Sequence, residues 1–233
     1  MRQRADGSGT ADQRREQMLR AALEVIHERG YPETRIADVA ERAGTSPALV
    51  IYYFKTKNQL LTEAMRFAED DWYETGTTRM AAIATAGGRL EELVAMTCLP
   101  EADTEPNESG LVWLDLWAQA GRHSEVAAVR QKFDDRWRET ISSIVLEGQE
   151  TGEFGPVDPA DFAVTLSSLL DGFAIQIGLA DPSVGAERAF KLTMRFAARE
   201  LGFTWVPRYR TGEEGADSAG RPLAAREDPL PAR

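Results

Sequence analysis

The stretch Ile36-Ala37-Asp38-Val39-Ala40-Glu41-Arg42-Ala43-Gly44-Thr45-Ser46-Pro47-Ala48-Leu49-Val50-Ile51-Tyr52-Tyr53-Phe54 decides the reading of this chain. Ile36, Val39, Ala40 and Ala43 recur at the three- and four-residue spacing of a short helix with one apolar face, for which Thr34 is the expected cap. Gly44 ends it with a residue that accepts positive φ. Ser46 and Pro47 then supply an N-cap and the residue best tolerated at the first helical position, so a further helix is expected from Pro47 to about Tyr53. Helix, short glycine-containing turn and helix make a helix-turn-helix. In such a motif the second helix enters the major groove of DNA while basic groups and helix ends hold phosphates.

Working outward, Val50 and Phe54 are expected to point inward. Thr45, Ser46, Pro47, Ala48, Leu49, Ile51, Tyr52 and Tyr53 are left as groove candidates. The Tyr52 and Tyr53 hydroxyls can donate to phosphate. Lys57 stands at the start of the next helix, where the helix dipole gives a cation no advantage, so its placement suggests a phosphate partner. Arg14 and Arg15 lie just before the first apolar periodicity and can act as a basic arm. Thr34 and Arg35, at the opening of the second helix, complete the expected DNA-facing set. The bland alternative is that the tyrosines are core aromatics of a plain three-helix bundle.

Upstream, Met18, Leu19, Ala22, Leu23 and Ile26 predict a first helix stopped by Gly30. Downstream, Thr56 and Gln59 have capping-box spacing and open a fourth helix whose Leu60, Leu61, Ala64, Met65, Ala68 and Trp72 share one face. Five further helical segments are expected, at Gly87–Cys98, Ser109–Gly121, Ser124 to Gly152, Asp158 or Pro159 onward, and Val184–Leu201. A loop over Glu101–Glu108 and the break Phe154-Gly155-Pro156-Val157 separate some of them. The expected class is therefore all-α, with about nine helices. Residues 1–12 are expected to form a disordered arm, 13–58 a DNA-binding domain, 59–205 a ligand-binding and dimerisation domain, and 206–233 a disordered tail.

The net charge is −11, which by itself disfavours a polyanionic partner. The charge is unevenly spread. Residues 1–58 hold 10 Lys and Arg against 8 Asp and Glu, and the remainder 17 against 30. Any DNA contact is confined to the N-terminal end, and the acidic body disfavours other docking faces. There is neither an apolar run of about 18 residues nor a secretory leader, so a cytoplasmic protein with no membrane partner is expected. Cys98 is the single cysteine and is expected to be a buried structural thiol. His27 and His123 lie on different helices, no metal-ligand spacing appears, and Asp70-Asp71 and Asp134-Asp135 diverge around their helices. No enzyme, metal or cofactor is expected.

The block Ile36 to Ser46, followed by Tyr52-Tyr53-Phe54-Lys55-Thr56-Lys57-Asn58-Gln59-Leu60-Leu61, resembles the DNA-binding domain of the TetR family over about Gln13 to Leu61. The body is similar to that of the choline-responsive BetI-type subgroup. The resemblance implies an all-helical homodimeric repressor, released from a palindromic DNA operator by a small-molecule inducer, and it matches Thr45, Ser46, Pro47, Tyr52, Tyr53 and Lys57 to DNA-contacting positions. The chain departs from the family pattern at Ile51, where many members have tyrosine, and at Pro47 and Leu49, which replace commoner polar residues.

In the body, Leu111-Val112-Trp113-Leu114-Asp115-Leu116-Trp117 is apolar nearly all round except for Asp115. That carboxylate can bridge to Arg122 or Arg138, await a ligand, or face solvent. With Trp72, Trp113, Trp117 and Trp137 it has the ingredients of an organic-cation site, although an apolar inducer and a purely structural role for the tryptophans stay open. Phe162, Leu166, Leu169, Phe173, Ile177, Phe190, Met194 and Ala197 exceed what one neighbour would cover and are expected to form a four-helix dimer interface, unless one chain buries them internally. A ligand among helices four to seven would change the spacing of the recognition helices, with the fourth helix as lever. The alternative from another class is a helical protein-interaction module without DNA readout.

Overall fold

A computed structural model describes residues 7–99 and 108–209. Among them are nine helices: α1 (Gly7–Glu33), α2 (Ile36–Arg42), α3 (Pro47–Phe54), α4 (Lys57–Ala81), α5 (Ala86–Cys98), α6 (Glu108–Ala120), α7 (Ser124–Glu150), α8 (Pro159–Gly178) and α9 (Ala186–Leu201). The all-helical class is as expected. α1 begins at Gly7, inside the stretch expected to be an arm; residues 1–6, the loop residues 100–107 and the tail from 210 lie outside the described part.

Most helix ends follow from local chemistry. Gly30 breaks α1 with φ 77° and ψ 161°, a conformation that is essentially glycine's alone. α2 ends in a Schellman turn: Gly44 has φ 62°, its N–H donates to the Glu41 carbonyl at 3.1 Å, and the Thr45 N–H donates to the Ala40 carbonyl at 2.8 Å. No atom lies within 4 Å of the place a Gly44 Cβ would take. Gly44→Ala is therefore expected to cost only the backbone penalty, about 1–2 kcal/mol, measurable as a lowered midpoint in chemical denaturation. Ser46 caps α3 by accepting the Leu49 N–H at 3.3 Å. Asp158 caps α8 by accepting from the Ala160 and Asp161 N–H groups at 2.9 and 3.0 Å.

One expected cap is absent. Arg35, not Thr34, holds the N-cap position of α2, and its N–H donates to Asp38 Oδ2 at 3.2 Å. Thr34 is buried and its hydroxyl donates to the Gly30 carbonyl at 2.8 Å. The same carbonyl accepts the Thr34 N–H at 3.2 Å, so backbone and side chain both turn back to it.

The chain divides into two compact units. One comprises Met1–Thr78 with Asn107–Arg138, and the other Arg79–Pro106 with Glu139–Arg233. The first has two buried clusters. Met18, Leu19, Ala22, Val25, Val39, Ala40, Val50, Phe54, Leu60 and Ala64 unite α1 to α4. Ile26, Tyr31, Leu61, Met65, Leu116, Val126, Val129 and Phe133 join α1 and α4 to α6 and the start of α7. The second cluster explains why this unit extends beyond the first 58 residues.

In the other unit α5, α8 and α9 pack against one another. Thr85 Oγ1 accepts the Gly88 N–H at 3.1 Å, and the Glu153 carboxylate accepts those of Ala86 and Gly87 at 2.7 and 2.8 Å. The first turn of α5 is thus satisfied on all three donors. α8 is the one described helix long and apolar enough by composition to cross a membrane; its Phe162, Ala163, Leu166 and Leu170 are buried within this unit.

This packing buries much of the expected dimer face within the chain. Phe162, Leu166, Phe190, Met194 and Ala197 are all buried inside the single chain, because α5 covers the apolar faces of α8 and α9 that sequence periodicity left without a neighbour. Leu169, Phe173 and Ile177 are half-buried. The apolar side chains left open are Val164 at 50% and Leu179 at 63% exposure on α8, with Leu192 on α9.

The chain also continues in ordered form past α9. Phe203 packs on Phe154 with ring centroids 5.1 Å apart, and Trp205 and Tyr209 contact the Phe190 ring at 5.8 and 5.9 Å. Of residues 206–209, expected as the start of the disordered tail, Arg208 and Tyr209 are held in this strap, while Val206 is exposed.

Candidate nucleic-acid interface and aromatic cluster

α3 stands on its buried Val50 and Phe54. Leu49 and Tyr53 are half-buried and pack against the same cluster, so two of the groove candidates also serve as footing. Ser46, Pro47, Ala48, Ile51 and Tyr52 are exposed and Thr45 half-exposed. Ile51 and Tyr52 reach 47% and 69% exposure, large values for an isoleucine and a tyrosine in a packed headpiece.

The link from α3 to α4 is a tight turn. Lys55 has φ 59° and ψ −50°, and the Thr56 N–H donates to the Phe54 carbonyl at 2.6 Å. This is a γ-turn of the rare, strained hand. Thr56 then caps α4 by accepting the Gln59 N–H at 3.1 Å. The Gln59 side chain turns forward to Glu63 at 2.9 Å instead of returning to Thr56, because the Thr56 N–H is already used in the turn.

The end of α1 forms a junction. Tyr31, deprived of its helical acceptor by the break at Gly30, donates its N–H to Asp115 Oδ2 at 2.7 Å. Its hydroxyl donates to Asn58 Oδ1 at 2.9 Å, and Asn58 Nδ2 donates to Glu125 Oε1 at 2.8 Å. Burial, with the Glu125 charge adding to it, pushes the Tyr31 phenol up to about 12. Lys57 Nζ donates to the Pro32 carbonyl at 2.8 Å and lies 5.5 Å from the Tyr31 ring. Burial lowers its pKa.

Asp115 therefore does not bridge to Arg138, which instead approaches Asp134 and Asp135, and it is half-buried. It tethers α6 to the break in α1. Asp115→Ala is expected to destabilise the protein by about 1.5–3 kcal/mol, since it leaves the Tyr31 N–H without an acceptor. Asp115→Asn, which keeps a carbonyl oxygen there, should lose less in the same denaturation experiment.

The expected aromatic set separates into two groups. Trp113 meets Phe133 at 5.7 Å, inside the cluster that contains Tyr31 and Leu116. Trp72 meets Trp137 at 5.6 Å and Tyr73 at 5.0 Å, both edge-on. Trp117 is half-buried and belongs to neither ring pair.

Glu69 lies one turn before Trp72 and Tyr73 on the same face of α4. Sequence reading passed it over because it is one acid among many on a long helix. Its side chain is only 10% exposed, with Arg136 Nη1 3.7 Å away. Burial pushes its carboxyl up to about 7, against the pull of Arg136 and Arg66 and with the Asp70 charge adding to the rise. Arg136 lies 3.7 Å above the Tyr73 ring and pairs with Asp70 at 2.8 Å. Aromatic faces and two carboxylates thus already hold one cation, the protein's own guanidinium.

Residues 18–64 match the family model for bacterial regulatory proteins of the tetR family, and residues 86–202 match the model for the C-terminal region of BetI-type transcriptional repressors. The chain belongs to the TetR family. It is a helix-turn-helix transcriptional repressor of the BetI type, as the resemblance implied. The HTH-type transcriptional regulator BetI of Cronobacter sakazakii is 29% identical over 190 residues, spanning 81% of this chain and 91% of that protein. A transcriptional regulator from Saccharomonospora viridis, solved in complex with choline, superposes with TM-score 0.75 at 27% identity over 82% of this chain and 98% of its own. A TetR-family regulator from a Rhodococcus species gives 0.72 at 26% identity, over 82% and 99%.

The structure of this TetR headpiece sorts its cations. Arg15 pairs with Glu63, Arg20 with Glu16, Arg29 with Asp38, and Arg42 with Glu24 and Glu28. Among the described residues up to 58, Arg14, Arg35, Lys55 and Lys57 have no carboxylate within ion-pair distance. Three of these were expected at the interface. Lys55 was missed, although it directly follows the recognition helix; its Nζ donates to the Tyr52 carbonyl at 2.6 Å and lies 5.0 Å from the Tyr52 ring. Arg15, expected to grip DNA, is engaged by Glu63 and lies 5.6 Å over the Phe54 ring, where it braces α3. Thr34 offers no side chain to a phosphate while it stays buried.

Proposed function

We propose that this TetR-family repressor binds a palindromic operator as a homodimer and is released by a small organic cation. Residues 13–58 carry the DNA contacts and 59–205 the ligand and dimer functions. The observation that carries the reading is the sorting of headpiece cations. The four without carboxylate partners fall on both sides of the exposed recognition helix in the chain: Arg14 on α1 and Arg35 at the start of α2 before it, and Lys55 and Lys57 immediately after it. Thr45, Ser46, Pro47, Ala48, Tyr52 and Tyr53 supply the groove-facing surface, with Leu49 as a half-buried support. As a DNA-bound bacterial regulator the protein works in the cytoplasm and turns over no substrate. The dimer face lies on the outer side of α8 and α9, around Val164, Leu179 and Leu192, with Leu169, Phe173 and Ile177 at its edge. That placement makes the interface smaller than the sequence pattern suggested.

Eight such cations in a dimer set the salt dependence. The logarithm of the affinity is expected to fall with the logarithm of salt concentration at a slope of up to about −7. Fluorescence anisotropy on labelled DNA from upstream of the protein's own gene measures it. Lys55→Ala should reduce that slope by about 2 in the dimer, one unit for each lost contact. An affinity indifferent to salt and sequence would overturn the DNA-binding reading in favour of a protein-docking module.

The inducer site is proposed at Glu69, Trp72, Tyr73 and Trp137. It is supported by the pairing of aromatic faces with a buried carboxylate and by the choline complex of the Saccharomonospora viridis relative. The site lies twelve residues along α4 from Lys57, about 18 Å of continuous helix, which makes α4 the lever. A ligand coupled to the DNA state by about 1–3 kcal/mol weakens operator binding roughly 5- to 150-fold. Choline is the first probe. The Glu69 carboxyl holds its proton below about 7, so it then carries no charge to attract a cation. Choline affinity should therefore rise with pH up to about 7 and level off above it. Glu69→Gln should remove both the preference for the cation and the pH dependence while operator binding persists. A choline response unchanged by Glu69→Gln would place the site elsewhere.

A further inference from the structure

Half of α3 is turned into the core of the headpiece, and the half that remains has an unusual chemistry. The helix reads Pro47-Ala48-Leu49-Val50-Ile51-Tyr52-Tyr53-Phe54. Val50 and Phe54 are buried, and Leu49 and Tyr53 rest against the cluster beneath. Pro47, Ala48, Ile51 and Tyr52 are left on the open side. Ala48, Ile51 and Tyr52, at spacings of three and four, share one face.

No residue of the helix carries an amide, carboxylate, guanidinium or ammonium group. The bidentate pairings that identify guanine through Arg or Lys, and adenine through Asn or Gln, are therefore unavailable to it. The nearest cation, Lys55, folds back onto the Tyr52 carbonyl at 2.6 Å. Yet Ile51 stands 47% exposed with its branched side chain in water. In the major groove the apolar feature of a base edge is the C5-methyl group of thymine.

We propose that α3 reads its operator mainly through thymine methyl groups, with Ile51 as the principal reader and Ala48 beside it. The inference rests on the repressor reading, which sets α3 in the major groove, and it adds the base that the groove must present. Polar discrimination is left to the hydroxyls of Thr45, Ser46 and Tyr52 at the ends of the helix. The half-site should contain one or two thymines whose methyl groups, not their hydrogen-bonding edges, carry the selectivity.

The test begins with selection of the preferred operator from random duplex DNA by the full-length protein. Each thymine in the selected half-site is then replaced by deoxyuridine, which removes only the methyl group. At one or two positions per half-site the affinity should fall about fourfold, the fold-change of one buried methyl-sized group. Ile51→Ala should weaken binding to the thymine operator. It should also become indifferent to deoxyuridine at one of those positions, so that the two losses are not additive. Ile51 is half-exposed and alanine favours helix, so the variant should fold, and its thermal melt checks this. Two results would overturn the proposal: every deoxyuridine operator bound within 1.5-fold of the parent, or equal responses of the wild type and Ile51→Ala to each replacement. Failure to select any sequence, with binding insensitive to salt, would instead remove the DNA-binding reading and this proposal with it.

Discussion

Phe54→Ala is expected to lower the folding stability by about 3–5 kcal/mol and to abolish operator binding at protein concentrations where the parent saturates its DNA. Phe54 is 1% exposed and shares its cluster with Val39, Ala40, Val50 and Leu60. It is therefore a joint between all four helices of the headpiece. Its ring lies 6.2 Å from that of Tyr53 and under the Arg15 guanidinium. Its carbonyl accepts the hydrogen bond that closes the strained turn at Lys55. A strained turn persists only when packing on both sides over-determines it. Phe54 provides that packing on one side and Leu60 on the other. Urea denaturation and anisotropy on the same sample measure the two effects together. Phe54→Leu, which keeps most of the volume, should recover much of both. A stability loss below about 1 kcal/mol for Phe54→Ala would mean that α3 is held by something other than this ring.

Glu92→Ala should have the next largest effect, a loss of about 3 kcal/mol. Glu92 is buried on α5, with Oε1 2.5 Å from Arg79 Nε and Oε2 accepting the Tyr209 hydroxyl at 2.5 Å. Arg79 also donates to that hydroxyl at 3.2 Å. Removing the carboxylate takes from the buried Tyr209 phenol its acceptor and from Arg79 one of its partners. The expected loss sits at the low end for a broken buried pair because the Arg79 side chain is 34% exposed and partly hydrated. Burial, with the Glu92 contact adding to it, pushes the Tyr209 phenol up to about 12, so it remains a donor throughout the neutral range. Glu92→Gln keeps an acceptor and should lose less. Next to it, Glu91 accepts the Arg208 N–H at 2.7 Å, so the strap after α9 satisfies two adjacent buried carboxylates. The BetI-type match ends at residue 202, before this strap begins. A chain truncated after Gly202 should accordingly reproduce much of the Glu92→Ala loss.

Helix starts and stops were legible wherever the deciding groups lie within a few residues of one another. Ser46 with Leu49, Thr56 with Gln59, Asp158 with Ala160, and the positive φ of Gly30 and Gly44 all belong to this class. Thr34 was misread as a cap for an instructive reason. The Gly30 carbonyl, four residues behind it, accepts both the Thr34 N–H at 3.2 Å and its hydroxyl at 2.8 Å, so the side chain turns back from the helix in front.

The functional surface was legible in outline and not in its members. Net charge identified the N-terminal end as the one that DNA can approach, but a count treats every arginine alike. Whether a cation is available depends on which carboxylate packing brings to it, as Glu63 is brought to Arg15 across 48 residues. The same holds for Asp115, whose partner Tyr31 lies 84 residues away, and for Glu69, which Arg136 of α7 approaches to 3.7 Å.

By itself, then, the sequence determined the nine-helix outline, the helix-turn-helix and the family, because periodicity and capping are short-range and the motif is contiguous. Only the tertiary structure decided which apolar face α5 covers, which cations remain unpaired around α3, and which acid lies beside the tryptophans. Those outcomes depend on groups far apart in the chain, whose hydration, charge and hydrogen-bonding partners are set only when the helices pack.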